Sequence, residues 1–276
     1  MAEITAAMVK ELRERSGLPM MECKQALAET TGDMSAAMEL LRKRGAAAEE
    51  KNAGRDTGER RIATNSDKDN GVAAMVEVLC ETAPTSNNPE FQEMVSKLAK
   101  HAALAGKADA ASIESEPFVD NTSQTVKDVV TDVINKIREN MKISRVVRKT
   151  GRAGAYVHHN GRVGVLLSVE GDGGDDALLA DFCMHAAAMN PDALSRDQIN
   201  PELVAKEEEI AREQILQSGK PENLVDKILT GKMNRWFGDH VFIEQAFVKD
   251  DKQTVKQVAD AAGVKLTGFV RWQLGG

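Results

Sequence analysis

Apolar residues recur at helical spacing along the first 45 residues of the chain. Their four-residue repeat from Ile4 onward predicts an amphipathic helix that ends near Gly17. Pro19 fits the first turn of a second helix, Gly32 can close that helix in the left-handed conformation, and Asp33 can cap a third. The pattern therefore predicts a module of three short helices.

Such a module has a small core, because three helices of about ten residues enclose little apolar area. Met20 and Met21 are adjacent, so one helix cannot turn both side chains into that core. At least one is expected on the surface, where flexible thioethers suit binding to a partner. The residues alone leave an alternative open, in which one methionine belongs to the core and the other is incidental surface.

The pattern changes after this module. Residues 45–60 mix charged residues with glycine, which predicts a helical tail that becomes a linker and leaves the module tethered. Residues 61–64 and 72–79 then predict a hairpin, and helices are predicted over 89–104 and 126–137.

A second segment repeats this plan. Its predicted elements are strands over 143–147, 155–159 and 163–169, a hairpin turn at Asn160-Gly161, and a helix over 176–189. His101-Ala102-Ala103-Leu104 and His185-Ala186-Ala187-Ala188 occupy similar places in the two segments. We take this similarity as a weak hint of internal duplication.

Two charged helices, 201–217 and 221–237, predict a protruding helical hairpin with a stop at Gly219. A helix over 254–262 and a strand over 265–274 complete the prediction. We therefore expect an α+β protein with three parts. They are an N-terminal helical module with its linker (1–55), a first core subdomain (56–140), and a second core subdomain (141–276) that carries the arm at about 200–237.

Composition narrows the classes of function. The chain has 36 basic and 43 acidic residues and only 4% aromatic residues, so we expect no direct binding to nucleic acid. Charged residues close to the N-terminus argue against a signal peptide, and the sequence has no run of 18 apolar residues that could span a membrane. We therefore expect a cytoplasmic protein. The three cysteines are odd in number and lack CxxC pairing, which predicts ordinary apolar side chains in a reducing compartment.

The candidate chemical groups do not form a pattern typical of catalysis. His101 and His185 lie in alanine-rich helices, so they are expected to pack rather than to bind a metal. His158 and His159 are adjacent on a predicted strand, so we expect them to point to opposite faces. The sequence contains no phosphate-binding loop, dinucleotide fingerprint or nucleophile elbow. We therefore expect no catalytic site, no metal and no cofactor.

Several motifs, in a fixed order, resemble one protein family. They are Lys10-Glu11-Leu12-Arg13-Glu14-Arg15-Ser16-Gly17, Met20-Met21-Glu22-Cys23-Lys24-Gln25-Ala26-Leu27, Gly32-Asp33, Tyr156-Val157-His158, Arg162-Val163-Gly164-Val165-Leu166, Gly219-Lys220-Pro221-Glu222, Phe247-Val248-Lys249 and Gly268-Phe269-Val270-Arg271. Over nearly the whole chain these segments resemble bacterial elongation factor Ts.

The resemblance implies a guanine-nucleotide exchange factor for elongation factor Tu, the GTPase that delivers aminoacyl-tRNA. It also implies a ubiquitin-associated-like helical module, two similar α+β core subdomains and a coiled-coil arm. Exchange would follow from thermodynamic linkage, since a partner that favours the nucleotide-free GTPase must weaken nucleotide binding by the same factor.

The resemblance also implies where the partner binds. The implied contacts are Leu12, Arg13, Met20, Met21 and Lys24 in the module, Thr82, Ala83, Pro84 and Thr85 in the loop after Cys80, Ile137 and Arg138, His158, and the pair Val248 and Lys249. Ordinary surface packing is the alternative for each of these residues.

The chain departs from the family pattern in three places. Thr82-Ala83-Pro84-Thr85 stands where the family usually has Thr-Asp-Phe-Val, and Arg138 stands where it usually has glycine. We also expect no C-terminal helical segment of the kind many members carry after the position of Gly276. Because an aromatic anchor is lost, exchange is expected to depend more on the N-terminal module and on a co-adapted partner.

Two other classes of function stay open. One is a binding or chaperone-like scaffold for the same GTPase that has lost exchange activity together with the Asp-Phe pair. The other is an unrelated enzyme, for which no residues nominate a pocket. The sequence also leaves open whether the arm mediates a homodimer.

Overall fold

The computed structural model of this chain describes residues 4–105, 109–219 and 221–273, apart from the side chains of residues 46 and 48–51. It divides into two compact units. Unit 1 comprises residues 1–65 and 74–148, and unit 2 comprises residues 66–73 and 149–276. Both units combine helices with strands, as expected for an α+β protein.

The helices and strands follow one another along the chain with short connections. The helices are α1 (Ala6–Ser16), α2 (Met20–Glu29), α3 (Met34–Asn52), α4 (Ala83–Ser86), α5 (Pro89–Ala105), α6 (Ala110–Ile113), α7 (Val126–Ile137), α8 (Asp176–Met189), α9 (Pro201–Gln217), α10 (Glu222–His240) and α11 (Val255–Ala261). The strands are β1 (Glu59–Asp67), β2 (Val72–Cys80), β3 (Pro117–Phe118), β4 (Asn121–Thr125), β5 (Met141–Thr150), β6 (Ala153–Val157), β7 (Val163–Glu170), β8 (Ala246–Phe247), β9 (Asp250–Thr254) and β10 (Lys265–Gln273).

The three predicted helices of the N-terminal module are confirmed. Gly17 ends α1 in the left-handed conformation (φ +70°), and the Asp33 Oδ1 atom accepts a hydrogen bond of 2.9 Å from the Ala36 N–H at the start of α3. Pro19 lies one position earlier than predicted, because its extended backbone makes it the N-cap of α2 rather than a residue of its first turn. The core of the module comprises Val9, Leu12, Leu18, Cys23, Ala26, Leu27, Ala37 and Leu41.

The helical tail and the linker predicted within residues 45–60 are both present, but the expectation that the module is only tethered is wrong. The third helix continues to Asn52, and only residues 53–58 separate it from β1. Gly45 lies so close to α7 that a Cβ atom built on it would stand 1.7 Å from the Asn135 Nδ2 atom. Glycine therefore serves close helix packing here rather than chain flexibility, and the module packs directly on α7.

The central strand of the first sheet carries one buried charge. The strand order is β1-β2-β5, and β2 is buried along almost its whole length. Glu77 is fully buried on β2, where the Arg145 Nε atom donates to its Oε1 atom at 3.0 Å and the Arg145 Nη2 atom donates to Oε2. The Arg60 Nη1 atom lies 3.9 Å from the same carboxylate.

The second sheet, in unit 2, has the order β10-β7-β6 and is antiparallel throughout. Tyr156 on β6 pairs with Val165 on β7, and Phe269 on β10 pairs with Leu167 on β7. Because β7 is central, its side chains Val165, Leu167 and Val169 belong to the core of unit 2. The predicted end of β10 at Leu274 lies outside the described residues.

The two predicted helices of the arm are also present. Gly219 follows α9 with φ +70°, and α10 begins at Glu222. The apolar contact between α9 and α10 is thin, and its buried residues are Ile215, Val225, Leu229 and Met233.

A buried histidine occupies the same position in both units. The His101 Nε2 atom lies 3.0 Å from the Glu116 Oε2 atom, and its Nδ1 atom accepts a hydrogen bond from the Val119 N–H. In unit 2 the His185 Nε2 atom lies 3.0 Å from the Gln245 Oε1 atom, and its Nδ1 atom accepts from the Val248 N–H. Both rings are fully buried, so the prediction that these histidines pack in their helices is confirmed.

The short hairpins beside these histidines also match. Phe118 lies 5.6 Å from the His101 ring and Phe247 lies 5.8 Å from the His185 ring, measured between ring centroids. The β3–β4 and β8–β9 hairpins have equivalent registers, and each is followed by a helix that begins with a capping box, at Thr125 and Thr254 respectively.

Acidification is expected to destabilise unit 2 through His185. Burial lowers the pKa of this imidazole, so the unfolded chain binds a proton more readily than the folded one. The stability that this group contributes is present above the unfolded pKa of about 6.5 and is lost as the pH falls toward the folded pKa. Both tryptophans, Trp236 and Trp272, lie in unit 2, so their fluorescence can follow its melting temperature from pH 7.5 to pH 5.

Two substitutions test whether His185 causes this pH dependence, one at His185 itself and one at an exposed histidine as the control. We expect His185→Gln to flatten the pH dependence of the unit 2 melting temperature, and the exposed His159→Gln to leave it as in the unmodified chain. An unchanged slope in His185→Gln would show that other groups cause the acid sensitivity.

Candidate docking surface

The largest exposed apolar side chains of the N-terminal module are Met20 and Met21. Both stand in the first turn of α2, with 51% and 72% of their surface exposed. Methionine side chains are flexible, so two adjacent exposed methionines can adapt to a partner that covers them with little rearrangement of the rest of the module. The prediction that at least one of them lies on the surface is confirmed, and the alternative of one core methionine is wrong.

The other predicted contacts of the module include both exposed and buried residues. Arg13 on α1 and Lys24 on α2 are exposed. Leu12 is fully buried, so its side chain packs in the core of the module and offers no surface to a partner. Its four-residue spacing from Met8 in the sequence already indicated a core position.

The loop after β2 is a short helical turn rather than an open loop. Thr82 precedes α4, and Ala83 and Pro84 are exposed at its start. Thr85 is buried, with 5% of its surface exposed, so it is not available as a contact. The exposed part of this turn therefore presents only a hydroxyl and two small side chains.

Arg138 follows α7 in a conformation that is uncommon for a residue with a side chain. Its φ is +69°, and its backbone N–H donates a hydrogen bond of 2.7 Å to the Ile134 carbonyl oxygen. A residue other than glycine in this region costs about 1 kcal/mol. The Arg138 guanidinium crosses to α2, where its Nη2 atom lies 2.5 Å from the Glu22 Oε1 atom.

The next two residues bind other parts of unit 1. Glu139 accepts hydrogen bonds from both the Thr82 hydroxyl (2.6 Å) and the Thr82 N–H (3.1 Å). The Asn140 N–H donates to the Glu81 Oε1 atom at 2.6 Å, and the Asn140 Nδ2 atom donates to the Arg55 carbonyl oxygen at 3.0 Å. We call residues 138–140 the α7–β5 junction.

The junction brings together three of the predicted contact segments. Arg138 reaches the α2 segment that carries Met20 and Met21, and Glu139 holds the turn at Thr82. We define the candidate docking surface as Arg13, Met20, Met21, Lys24, Thr82, Ala83, Pro84, Ile137 and Arg138. Glu22, Glu139 and Asn140 are the residues that sequence reasoning missed, because only the folded chain places them against these segments.

His158 belongs to unit 2 and lies at the turn after β6. The strand ends at Val157, so the alternation of faces does not extend to the two histidines. The expectation that they point to opposite faces is wrong, because the His158 and His159 ring centroids are 4.2 Å apart. The Tyr156 hydroxyl lies 3.1 Å from the His158 Nδ1 atom.

Val248 and Lys249 form the turn between β8 and β9 in unit 2. The Val248 side chain is 49% exposed, while its N–H is held by the buried His185. The Lys249 Nζ atom lies 2.6 Å from the Asp181 Oδ1 atom on α8. The buried histidine thus fixes the backbone of a turn whose side chains face outward.

The remaining chemical groups give no sign of a reaction centre in the described part of the chain. Within residues 4–105, 109–219 and 221–273, no group of His, Cys, Asp and Glu is placed to hold a metal ion. All three cysteines are buried thiols, and burial raises the pKa of Cys80 and of Cys183 to about 12. The thiols of Cys80 and Cys183 are therefore protonated and unreactive at neutral pH. The described helices include none long and apolar enough to cross a membrane.

Comparison with known proteins gives a consistent result. The model of the family described as "Elongation factor TS" matches residues 81–276. A protein named elongation factor Ts from Hydrogenovibrio crunogenus is 39% identical over 274 residues, covering 99% of this chain and 92% of its own length. Proteins of the same name from Thioalkalivibrio sulfidiphilus and Halothermothrix orenii are 40% and 36% identical, covering 99% and 97% of this chain and 92% and 91% of their own lengths.

Proposed function

The chain belongs to the elongation factor Ts family and is a guanine-nucleotide exchange factor for the GTPase elongation factor Tu, and we propose that it acts by binding the nucleotide-free GTPase through the docking surface defined above. The observation that carries this proposal is the junction at residues 138–140. It connects the exposed methionine pair and the turn at Thr82 in one unit.

Exchange by this route requires binding and no chemical step. A partner that binds the empty GTPase more tightly than the nucleotide-bound form weakens nucleotide binding by the same factor. Each 1.4 kcal/mol of that difference corresponds to about tenfold in affinity. The protein would therefore not be an enzyme in the sense of making or breaking a bond.

The N-terminal module is proposed to supply most of the binding energy. Met20 and Met21 offer large flexible apolar surface, whereas Ala83 and Pro84 offer little. Binding energy concentrates in large side chains that become fully covered at an interface. His158 and the pair Val248 and Lys249 are proposed as weaker contacts with other parts of the partner.

The finer architecture is proposed on the same basis. The equivalent histidine and hairpin arrangements in the two units support two similar α+β core subdomains, with the N-terminal helices as a ubiquitin-associated-like module. The divisions at residues 55 and 140, the coiled-coil character of the arm, a cytoplasmic location and the absence of nucleic-acid binding stay predictions. A homodimer through the arm stays an open alternative.

Nucleotide release gives the direct test. Elongation factor Tu loaded with the fluorescent nucleotide mantGDP is mixed with excess unlabelled GDP and an equal amount of the full chain. We expect the release rate to rise by about 100-fold, within the usual range of coupling between two ligands. A stable complex without faster release would favour the scaffold hypothesis instead. Failure to form any complex would contradict both.

A further inference from the structure

Arg138 stands in a backbone conformation that favours glycine, yet it is an arginine. A residue held at φ +69° is kept there by its surroundings, and such positions cluster where they serve a function. The side chain in this case has a defined partner, since its guanidinium pairs with Glu22 on α2. The left-handed backbone of Arg138 and the direction of its side chain toward Glu22 therefore belong to one arrangement.

The partner residue lies directly beside the docking surface. Glu22 immediately follows the exposed pair Met20 and Met21 in the first turns of α2. Its carboxylate faces Arg138, while the Met21 side chain remains 72% exposed. The ion pair thus holds the helix that carries the methionines without covering them.

Several other contacts join the module to α7. Arg42 of α3 lies near Asp132 of α7, and two close contacts involve glycine. Gly45 of α3 packs against Asn135, and the Lys136 side chain lies over Gly17, where its Cε atom would stand 2.6 Å from an added Cβ atom. These contacts set how closely α7 and the module approach. The pair between Glu22 and Arg138 joins the end of α7 to α2 by a directed hydrogen bond.

We propose that Arg138 is a positioning residue, which fixes the angle of α2 relative to α7 through Glu22 and so presets the methionine pair for the GTPase. This inference rests on the proposed function and adds to it the residue that orients the principal binding element. It predicts that loss of the pair weakens binding by loosening the module, in addition to any contact that Arg138 itself makes.

The first test measures the geometry of the free chain. Nitroxide labels are attached at Lys10→Cys on α1 and Lys97→Cys on α5, two exposed positions, and the distance distribution is measured by double electron–electron resonance. The native cysteines are buried and are not expected to react with the label. We expect one narrow distribution in the unmodified chain and a broader or shifted one in Arg138→Gly and Arg138→Glu.

The second test measures exchange with the same variants. An exposed ion pair contributes modestly, so Arg138→Gly is expected to raise the chain concentration for half-maximal mantGDP release about threefold, with the maximal rate unchanged. Glycine suits the left-handed backbone at this position, so this variant is not expected to lose stability. Asn190→Gly, at the left-handed end of α8, relieves a similar backbone without touching the module and is the matched control.

A charge exchange separates positioning from direct contact. Arg138→Glu and Glu22→Arg are each expected to weaken exchange, and the double variant is expected to restore both the narrow distance distribution and the half-maximal concentration. Distances that are equally narrow in every variant would overturn the proposal. Restored distances without restored exchange would also overturn it, because Arg138 would then act by touching the GTPase. Since the distances are measured without the GTPase, they decide the positioning role even if the unmodified chain fails to promote exchange.

Discussion

Replacement of Met20 and Met21 by alanine in one variant is expected to weaken binding to nucleotide-free elongation factor Tu by about 30-fold, which corresponds to about 2 kcal/mol. Both side chains are largely exposed in the free chain, so their truncation removes surface for the partner without opening a cavity. The melting temperature of the free chain should therefore stay unchanged. Isothermal titration calorimetry with the GTPase gives the affinity directly.

The matched control for this variant removes an equal number of exposed apolar side chains elsewhere. Leu104 and Leu203 are 37% and 39% exposed and lie outside the docking surface. Leu104→Ala combined with Leu203→Ala should leave the affinity within about twofold, as is typical of substitutions away from an interface hot spot. Equal affinity of the methionine variant and the unmodified chain would show that the N-terminal module is not the main binding element.

Arg145→Met is expected to lower the free energy of unfolding of unit 1 by about 3 kcal/mol. Removal of this arginine leaves the fully buried carboxylate of Glu77 without its two hydrogen bonds from Arg145, and the Arg60 Nη1 atom is 3.9 Å away. An uncompensated buried charge is among the most destabilising consequences of a single substitution. The melting temperature of unit 1 should fall by about 8 °C.

The double variant Glu77→Met with Arg145→Met is the control for this experiment. An apolar pair of similar volume can replace a buried ion pair at little cost, so most of the lost stability should return. Tryptophan fluorescence reports only unit 2, so unit 1 is followed by far-ultraviolet circular dichroism or by hydrogen exchange of the β2 amides. A double variant that is as unstable as Arg145→Met would show that packing, and not the buried charge, controls stability there.

Periodicity predicted the long elements of this fold well. The bounds predicted for α8 and α9 are those observed, because each begins beside a strong signal, an aspartate cap or a proline in the first turn. The β3–β4 and β8–β9 hairpins were missed, since their strands are short and largely polar. A comparison of Phe118-Val119 and Thr125-Val126-Lys127 with Phe247-Val248 and Thr254-Val255-Lys256 would have revealed them as a repeat.

The arrangement of the candidate docking surface was predictable only in part. Adjacent methionines on a short helix indicate exposure from helix geometry alone. The burial of Leu12 and Thr85, by contrast, depends on which neighbours cover them, and the contacts of Glu139 with Thr82 join residues far apart in sequence. The mixture of charge and glycine over residues 45–60 predicted the helical tail and the linker, but it could not show that Gly45 is used for close packing of two helices.

The contact between Gly45 and Asn135 limits how this protein can be recombined with its relatives. A chimera that takes residues 4–52 from another member of the family also takes that member's side chain at position 45, which faces α7. Even one methyl group at position 45 would collide with the Asn135 amide. A graft of the amino-terminal helices should therefore include the matching face of α7, so that both sides of this contact come from the same protein.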